Sequence, residues 1–478
     1  MTFTDINLIG QIIDFDSTIL YDFLCVNKYV STELLKNITI LCLPNNNKLI
    51  DENLKSFKRL KVLMLKNNDK ISNDGLKYIK NIHTLKLDTR NITDEGLKLI
   101  PNIYNLSLKY DKITDNGLMH IKNIHSLDLR LNKNITDNGI KYLSNIHTLN
   151  LSINENISDN ALKYLSNIHA LKLRGENISN EGLKYLSKVH TLELYENYII
   201  TDEGLKYLSN IHTFILTENS NITNDGLKYF NNIYRLELNN SLITNIGLKY
   251  IKNIRILCIY DNDKITNVGL KYLKNIHTLE LTDNNNITDI GLKYIKNIHT
   301  LKLYNNIKIT NTGLQYISNI HTLDLGKNNN ITDDGLKYIS KIHTLDLNNN
   351  TNITDNGLKY IPNIYELILN NDTNITDTGL KYIPNIYHLQ LNKNTHITNI
   401  GLRYIKNISI LQLQNNKNIT NDGLRCIPNI NILFLYDNKK ITYSCLKYIP
   451  KIYKLILFLN DSKFKWISPE GQFKDECV

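Results

Sequence analysis

The residues best suited to chemistry in this chain are its histidines, and their spacing is regular. They fall at His83, His125, His147, His169, His190, His212, His277, His299, His321 and His343, stepping by 21 or 22 residues or by multiples of that step. A row of imidazoles could hold metal ions or pass protons. The residues that replace them argue against both. Tyr104, Tyr234, Tyr365, Tyr387 and Tyr453 take the same slot, and so do Lys61, Arg255, Ser409 and Asn431. A zinc site does not exchange His for Tyr or Ser. If each histidine opens a strand, neighbours lie ~4.8 Å apart and form a column, not a tetrahedral shell. The expected role is stacking at the strand entrance, with no metal and no cofactor. There is also no nucleophile set beside a base and no glycine-rich phosphate loop. The chain is therefore expected not to be an enzyme.

The element that positions these histidines repeats along almost the whole chain. A glycine marks the period at Gly75, Gly96, Gly117, Gly139, and on through Gly379, Gly401 and Gly423, with Ala161 and Cys445 in the same slot. In the unit around Leu345, Ile342-x-x-Leu345-x-Leu347 alternates as a short strand with both leucines inward. Asn350 follows and can pair with loop backbone groups. Thr354 is a good helix N-cap, and Asp355 sits in the positive first turn of a helix that Pro362-Asn363 ends, Asn being able to take the left-handed turn. Because Ala and Cys replace the marker glycine, it is read as a small residue for close approach between coils, not as a left-handed one. One such unit is too small to fold alone, so stacking must supply the core. Strands of the Leu-x-Leu type recur twenty times between Leu41 and Leu457.

Of the 478 residues, 42% are hydrophobic and 21% charged, enough to bury a large core, and the net charge is a mild +10. No apolar run reaches ~18 residues, so neither a membrane span nor a membrane partner is expected. The first residues lack a basic secretory n-region. The six cysteines, at 25, 42, 258, 426, 445 and 477, show no paired spacing and are read as reduced thiols of a cytoplasmic protein.

With L-x-x-L-x-L-x-x-N recurring in register from about residue 38 to 458, the chain resembles the leucine-rich repeat family. The resemblance implies an α/β solenoid of about twenty 21–22-residue units: a curved parallel sheet on the concave side and short helices on the convex side. The I-T-D-x-G-L-x-x-I half is similar to the cysteine-containing subclass common in ubiquitin-ligase receptors, with Asn in place of its first cysteine.

Residues 1–37 leave the repeat. Leu8, Ile9, Ile12 and Ile13, then Leu20 and Phe23, give apolar helical faces, and with Phe15-Asp16 and Cys25-Val26-Asn27-Lys28 the segment resembles an F-box. That resemblance implies that these six apolar residues meet a Skp-type adaptor. The alternative is a plain helical cap on the end of the solenoid. Residues 459–478, with Trp466, are expected to cap the other end.

Function is expected where the repeats differ, at the outward strand positions. Arg130, Arg174, Tyr195, Tyr260, Tyr304, Phe434, Tyr436 and Ile456 are the candidate residues for a protein target on the concave face. Lysines from Lys77 to Lys447 form a row on the helical side, read as a solvated face and not as a nucleic-acid track, with the tyrosines beside them read as packing between coils. The richness in Asn, Ile, Lys and Tyr is similar to that of leucine-rich repeat proteins of giant viruses that infect amoebae. The expected function is a non-catalytic substrate-recognition subunit of a cullin-type ubiquitin ligase, the host's if the chain is viral. The alternative is a structural or adhesion solenoid with no ubiquitin link.

Overall fold

The computed structural model describes residues 35–43, 49–65, 68–108, 112–239, 242–260, 262–371, 374–436, 438, 440–450, 452, 454–459, 463–467 and 473–477. Leu8, Ile9, Ile12, Ile13, Leu20 and Phe23 lie outside the described residues. The chain divides into two compact units, residues 1–238 and 239–478.

Both units are built from one device, a short parallel strand, a loop, and a single helical turn. In the first unit the described strands run in chain order from Ile40–Leu43 and Val62–Leu65 to Thr213–Leu216 and Arg235–Asn239, each paired in parallel with the next. In the second they run from Ile256–Tyr260 to Lys454–Leu459 in the same way. The register equals the repeat, so like faces like: Thr322 pairs with Thr344, Leu323 with Leu345, and Asp324 with Asp346. After Lys454–Leu459 the order changes. Lys463–Ile467 adds antiparallel, with Ile456 opposite Trp466, and Phe473–Cys477 adds antiparallel to that. The edge of the last parallel strand is thereby paired.

Six apolar slots per coil make the core. In the coil of Leu345 they are Ile342, Leu345, Leu347, Ile353, Leu358 and Ile361, all buried. Thr354 caps Asp355–Leu358, its side chain accepting from the Asn356 N–H. The expected left-handed turn at Asn363 does not form. Among the described residues, left-handed backbone falls on the residue before the loop asparagine, for example Lys327 (φ 62°) and Asn349 (φ 55°). There the chain must swing from the sheet toward the core, and the Lys327 N–H still bonds to the next coil at Asn348 O, 2.8 Å. The helical turn ends instead by tightening, with Ile364 N bonded to Ile361 O at 3.2 Å.

The loop asparagines form a buried ladder. Asn328 Nδ2 donates to Asn306 O (2.6 Å) and Ile309 O (3.0 Å), while its Oδ1 accepts the Asn330 N–H (2.9 Å). This satisfies backbone groups that neither strand nor helix reaches. No described helix is long and apolar enough to cross a membrane.

Candidate functional site on the sheet face

Alternation along each strand turns every second side chain away from the leucine core. In residues 1–238 the outward positions line an open concavity of about 920 Å³, with Lys86, Asp128, Arg130, Asn150 and Lys172 on its walls. Arg130 pairs with Asp128 at 2.9 Å. Farther along, Lys172 pairs with Glu193 at 2.7 Å, and the Tyr195 hydroxyl donates to the other oxygen of Glu193 at 2.5 Å. Burial, and then the Glu193 carboxylate, push the Tyr195 phenol well above its ordinary value. Arg174 is held by Glu155 (2.6 Å), Glu176 (2.8 Å) and Glu196. The charges of this surface are largely matched within it, and Val62 and Met64 add apolar area to the concavity at the first strands.

In residues 239–478 the outward face begins with Tyr260 and with Glu280, which pairs with Lys302 at 3.3 Å. Tyr304 lies against Gly326: a Cβ built there would stand 2.8 Å from the ring, so a larger residue would force the ring to shift. The Lys327 ammonium covers the ring at 5.0 Å. Asp324 and Asp346 then stand on paired strand positions. Burial first, and Asp324 second, push the Asp346 carboxyl up to about 7. Burial raises Asp324 as well, against the Gly326 N–H that favours its charged form. Glu366 bonds His388 at 2.8 Å, and His388 meets Gln412 at 3.1 Å. Phe434 follows, half-buried, paired with Gln412. The backbones of Tyr436 and Ile456 belong to strands, opposite Gln414 and Phe434; their side chains lie outside the described ones.

The histidines stack as a column. In the first unit His125, His147, His169, His190 and His212 follow one another at centroid distances of 4.4–4.5 Å, with Tyr104 and Tyr234 continuing the stack at its ends. In the second, His277, His299, His321 and His343 do the same at 4.3–4.5 Å, followed by Tyr365. Burial, and next the neighbouring imidazoles, lower the pKa of His125, His169, His190, His277 and His321. Among the described residues no cluster of three or more His, Cys, Asp or Glu could hold a metal.

Four stretches, residues 120–144, 272–296, 316–340 and 339–361, match the leucine-rich repeat family model. The fold is a leucine-rich-repeat solenoid. No curated relative matches the chain. Among 406 matching solved chains is the crystal structure of a TLR13–ssRNA13 complex. It is 16% identical, with a TM-score of 0.54, over 89% of this chain and 71% of that one. At that identity the likeness concerns the fold.

Two features of this solenoid were missed in the sequence. The first helical residue of coil after coil, Asp or Asn, is an inter-coil staple: Asp289 Oδ1 accepts the Thr310 N–H (2.8 Å) and Oδ2 its hydroxyl (2.6 Å). Its signal was present, since that slot is Asp or Asn in coil after coil, but it was read only as favourable charge in a first turn. The lysine row does meet acids in many coils, as in Lys206–Glu203 (2.9 Å) and Lys337–Asp334 (2.5 Å). The tyrosines beside it are only partly packed between coils: Tyr142, Tyr164 and Tyr360 are half-buried, Tyr78, Tyr185 and Tyr250 are exposed, and lysine ammoniums cover several rings at about 5 Å, as Lys359 covers Tyr382 at 5.0 Å. A one-turn helix is too short to bury so long a side chain.

Proposed function

We propose that this protein is a non-catalytic recognition scaffold. The outward strand residues hold a protein target, and residues 1–37 dock a Skp-type adaptor of a cullin-type ubiquitin ligase. The observation that carries the first half is the split between the two faces of each strand. Inward positions are nearly all leucine and fully buried, whereas the outward ones change from coil to coil, through Arg174, Tyr195, Tyr260 and Tyr304 to Gln412 and Phe434. Aromatic and arginine anchors are the residue types that dominate protein interfaces. Support for the second half is the F-box-like pattern of Leu8, Ile9, Ile12, Ile13, Leu20 and Phe23. With a composition like that of giant-virus repeat proteins, the ligase would be a host's and the site of action its cytoplasm.

A structural or adhesion solenoid is the second reading. It is favoured by the self-matched charges of the sheet face, above all Arg174 among three carboxylates. The test uses full-length protein, a purified Skp-type adaptor, and the variant Leu8→Asp with Ile12→Asp. The proposal expects the wild type to capture the adaptor and the variant to lose it. Absence of capture by the wild type would leave the structural reading in place.

A further inference from the structure

Three successive coils of residues 239–478 carry a surface the others lack. The second residue of their helical turn is Ile246, Val268 or Ile290. In the other coils, that of Ile400 excepted, the slot holds Asp, Glu, Asn, Thr or Ser, as at Glu203, Asp334 and Thr312. Six residues on, the same three coils carry Lys252, Lys274 and Lys296, where Ser209, Ser318 and Ser340 stand elsewhere. The two changes travel together: the one other aliphatic residue in the slot, Ile400, is followed by Lys406. Lys also fills the second slot as Lys58, Lys80 and Lys122, behind Glu52, Asp74 and Asn116.

Folding does not call for these aliphatics. The helical turn is capped in the same way with them as without, Thr244 accepting from the Ile246 N–H at 3.3 Å. They stand in solvent, 62%, 52% and 62% exposed. One turn away on the same helical face are Lys249, Lys271 and Lys293. With no acid in the slot, these lysines lack the partner that Lys206 and Lys337 have. Among the described residues none of the six lysines makes an ion pair, and the nearby Asp289 is engaged by Thr310. Tyr250 and Tyr272 are exposed between the two lysine rows. The result is a face with six lysines and a single carboxylate, Asp289, bordered by protruding aliphatic side chains.

We propose that this face, residues 245–252, 267–274 and 289–296, binds peripherally to a membrane surface rich in anionic phospholipid. Two lysine rows meet the headgroup charge, tyrosines sit at headgroup level, and the aliphatics enter the acyl boundary. Nucleic acid would use the lysines and leave the aliphatics in water. A folded protein partner would meet the same contacts again after slipping by one coil, because the three coils repeat one motif. A fluid lipid surface needs no register. No spanning helix is required, so the lack of a long apolar run does not bear on it.

The test is co-sedimentation of the full-length protein with vesicles of phosphatidylcholine alone, and with phosphatidylserine as roughly one third of the lipid. Two variants borrow residues that the slots already hold in other coils, and circular dichroism checks that they fold. One is Lys252→Ser, Lys274→Ser and Lys296→Ser; the other is Ile246→Asp, Val268→Asp and Ile290→Asp. The expected result is binding to the anionic vesicles only, weakened at least about tenfold in each variant. Wild type that stays in the supernatant overturns the proposal. So does an aliphatic variant that sediments like wild type, or equal binding to a single-stranded RNA oligonucleotide, which would mark a polyanion site.

Discussion

Asp333 of one coil accepts both the backbone N–H and the hydroxyl of Thr354 in the next, each at 2.7 Å. Thr354 is also the N-cap of its own helical turn. One carboxylate therefore ties a coil to the cap of its neighbour, and the same bond pattern recurs at Asp289–Thr310 and Asp355–Thr376. Where the residue is asparagine, its Oδ1 accepts the N–H and its Nδ2 donates to the hydroxyl, as in Asn311–Thr332.

It follows that Asp333→Ala removes two bonds at a part-buried junction, at a cost of ~1.5–3 kcal/mol. Asp333→Asn keeps both bonds by reversing the direction of one, and stability stays within ~0.5–1 kcal/mol of wild type. Urea unfolding of the two variants checks this. An alanine variant as stable as the asparagine one would show that the staple contributes nothing.

The solenoid was legible because its signal is repeated. A single Leu-x-Leu is weak evidence of a strand, but register across some twenty copies leaves no other reading. The marker glycine was also legible: a Cβ at Gly357 would stand 2.5 Å from Asp333 Oδ1. Ala161 shows that a methyl can fit, since Asp137 still bonds the Ser158 N–H at 2.8 Å in that coil. What the sequence hid was pairing between coils. The contacts of Arg174 join residues 19 to 22 positions apart with no local motif, and the stapling Asp looked like an ordinary first-turn charge. The outward site residues could be placed on the sheet face from alternation, but not which of them neutralise one another.

The asparagine ladder makes a second prediction. Asn328→Ala orphans the buried Asn306 and Ile309 carbonyls and the Asn330 N–H. The loss should be ~2–4 kcal/mol. Hydrogen exchange should rise first at Asn330 and its flanking loops, since solenoid contacts are local. Protection unchanged there would remove the ladder from the account of stability.

Acid should loosen the histidine column. Burial and neighbouring imidazoles lower the pKa of His321 in the folded state. The unfolded chain then takes up the proton first, so this stability is present above ~6.5 and is lost as pH falls through the lower folded value. Replacing His299, His321 and His343 together with Tyr, the residue that already continues the stack at Tyr365, should leave stability at pH ~7.5 within ~1 kcal/mol. The decline between pH ~7 and ~5 should become shallower. Thermal melts at the two pH values test this, and metal analysis of both proteins should show no stoichiometric zinc. Parallel melting profiles would mean that the column does not titrate with folding.

Asp346 has the opposite sign. Its folded carboxyl is pushed up to about 7 from an ordinary 3.8, by burial and by Asp324 beside it. An acid raised in this way binds more protons folded than unfolded. Its stabilisation is present below the unfolded value and is lost as pH rises through the folded one. At pH ~8 the protein holds a largely buried charge next to another carboxylate, which Asp346→Asn removes. The new carboxamide oxygen can still accept the Asn348 N–H, now at 2.8 Å from Asp346. The variant should be more stable by ~1–3 kcal/mol at pH ~8 and about equal at pH ~4. If a cationic target uses the Asp324–Asp346 pair, the same variant should bind it less well while melting later, as expected where a site holds charges that folding does not want. Chemical denaturation at both pH values decides the matter, and a variant destabilised at pH ~8 would mean that the ionised pair is a structural asset.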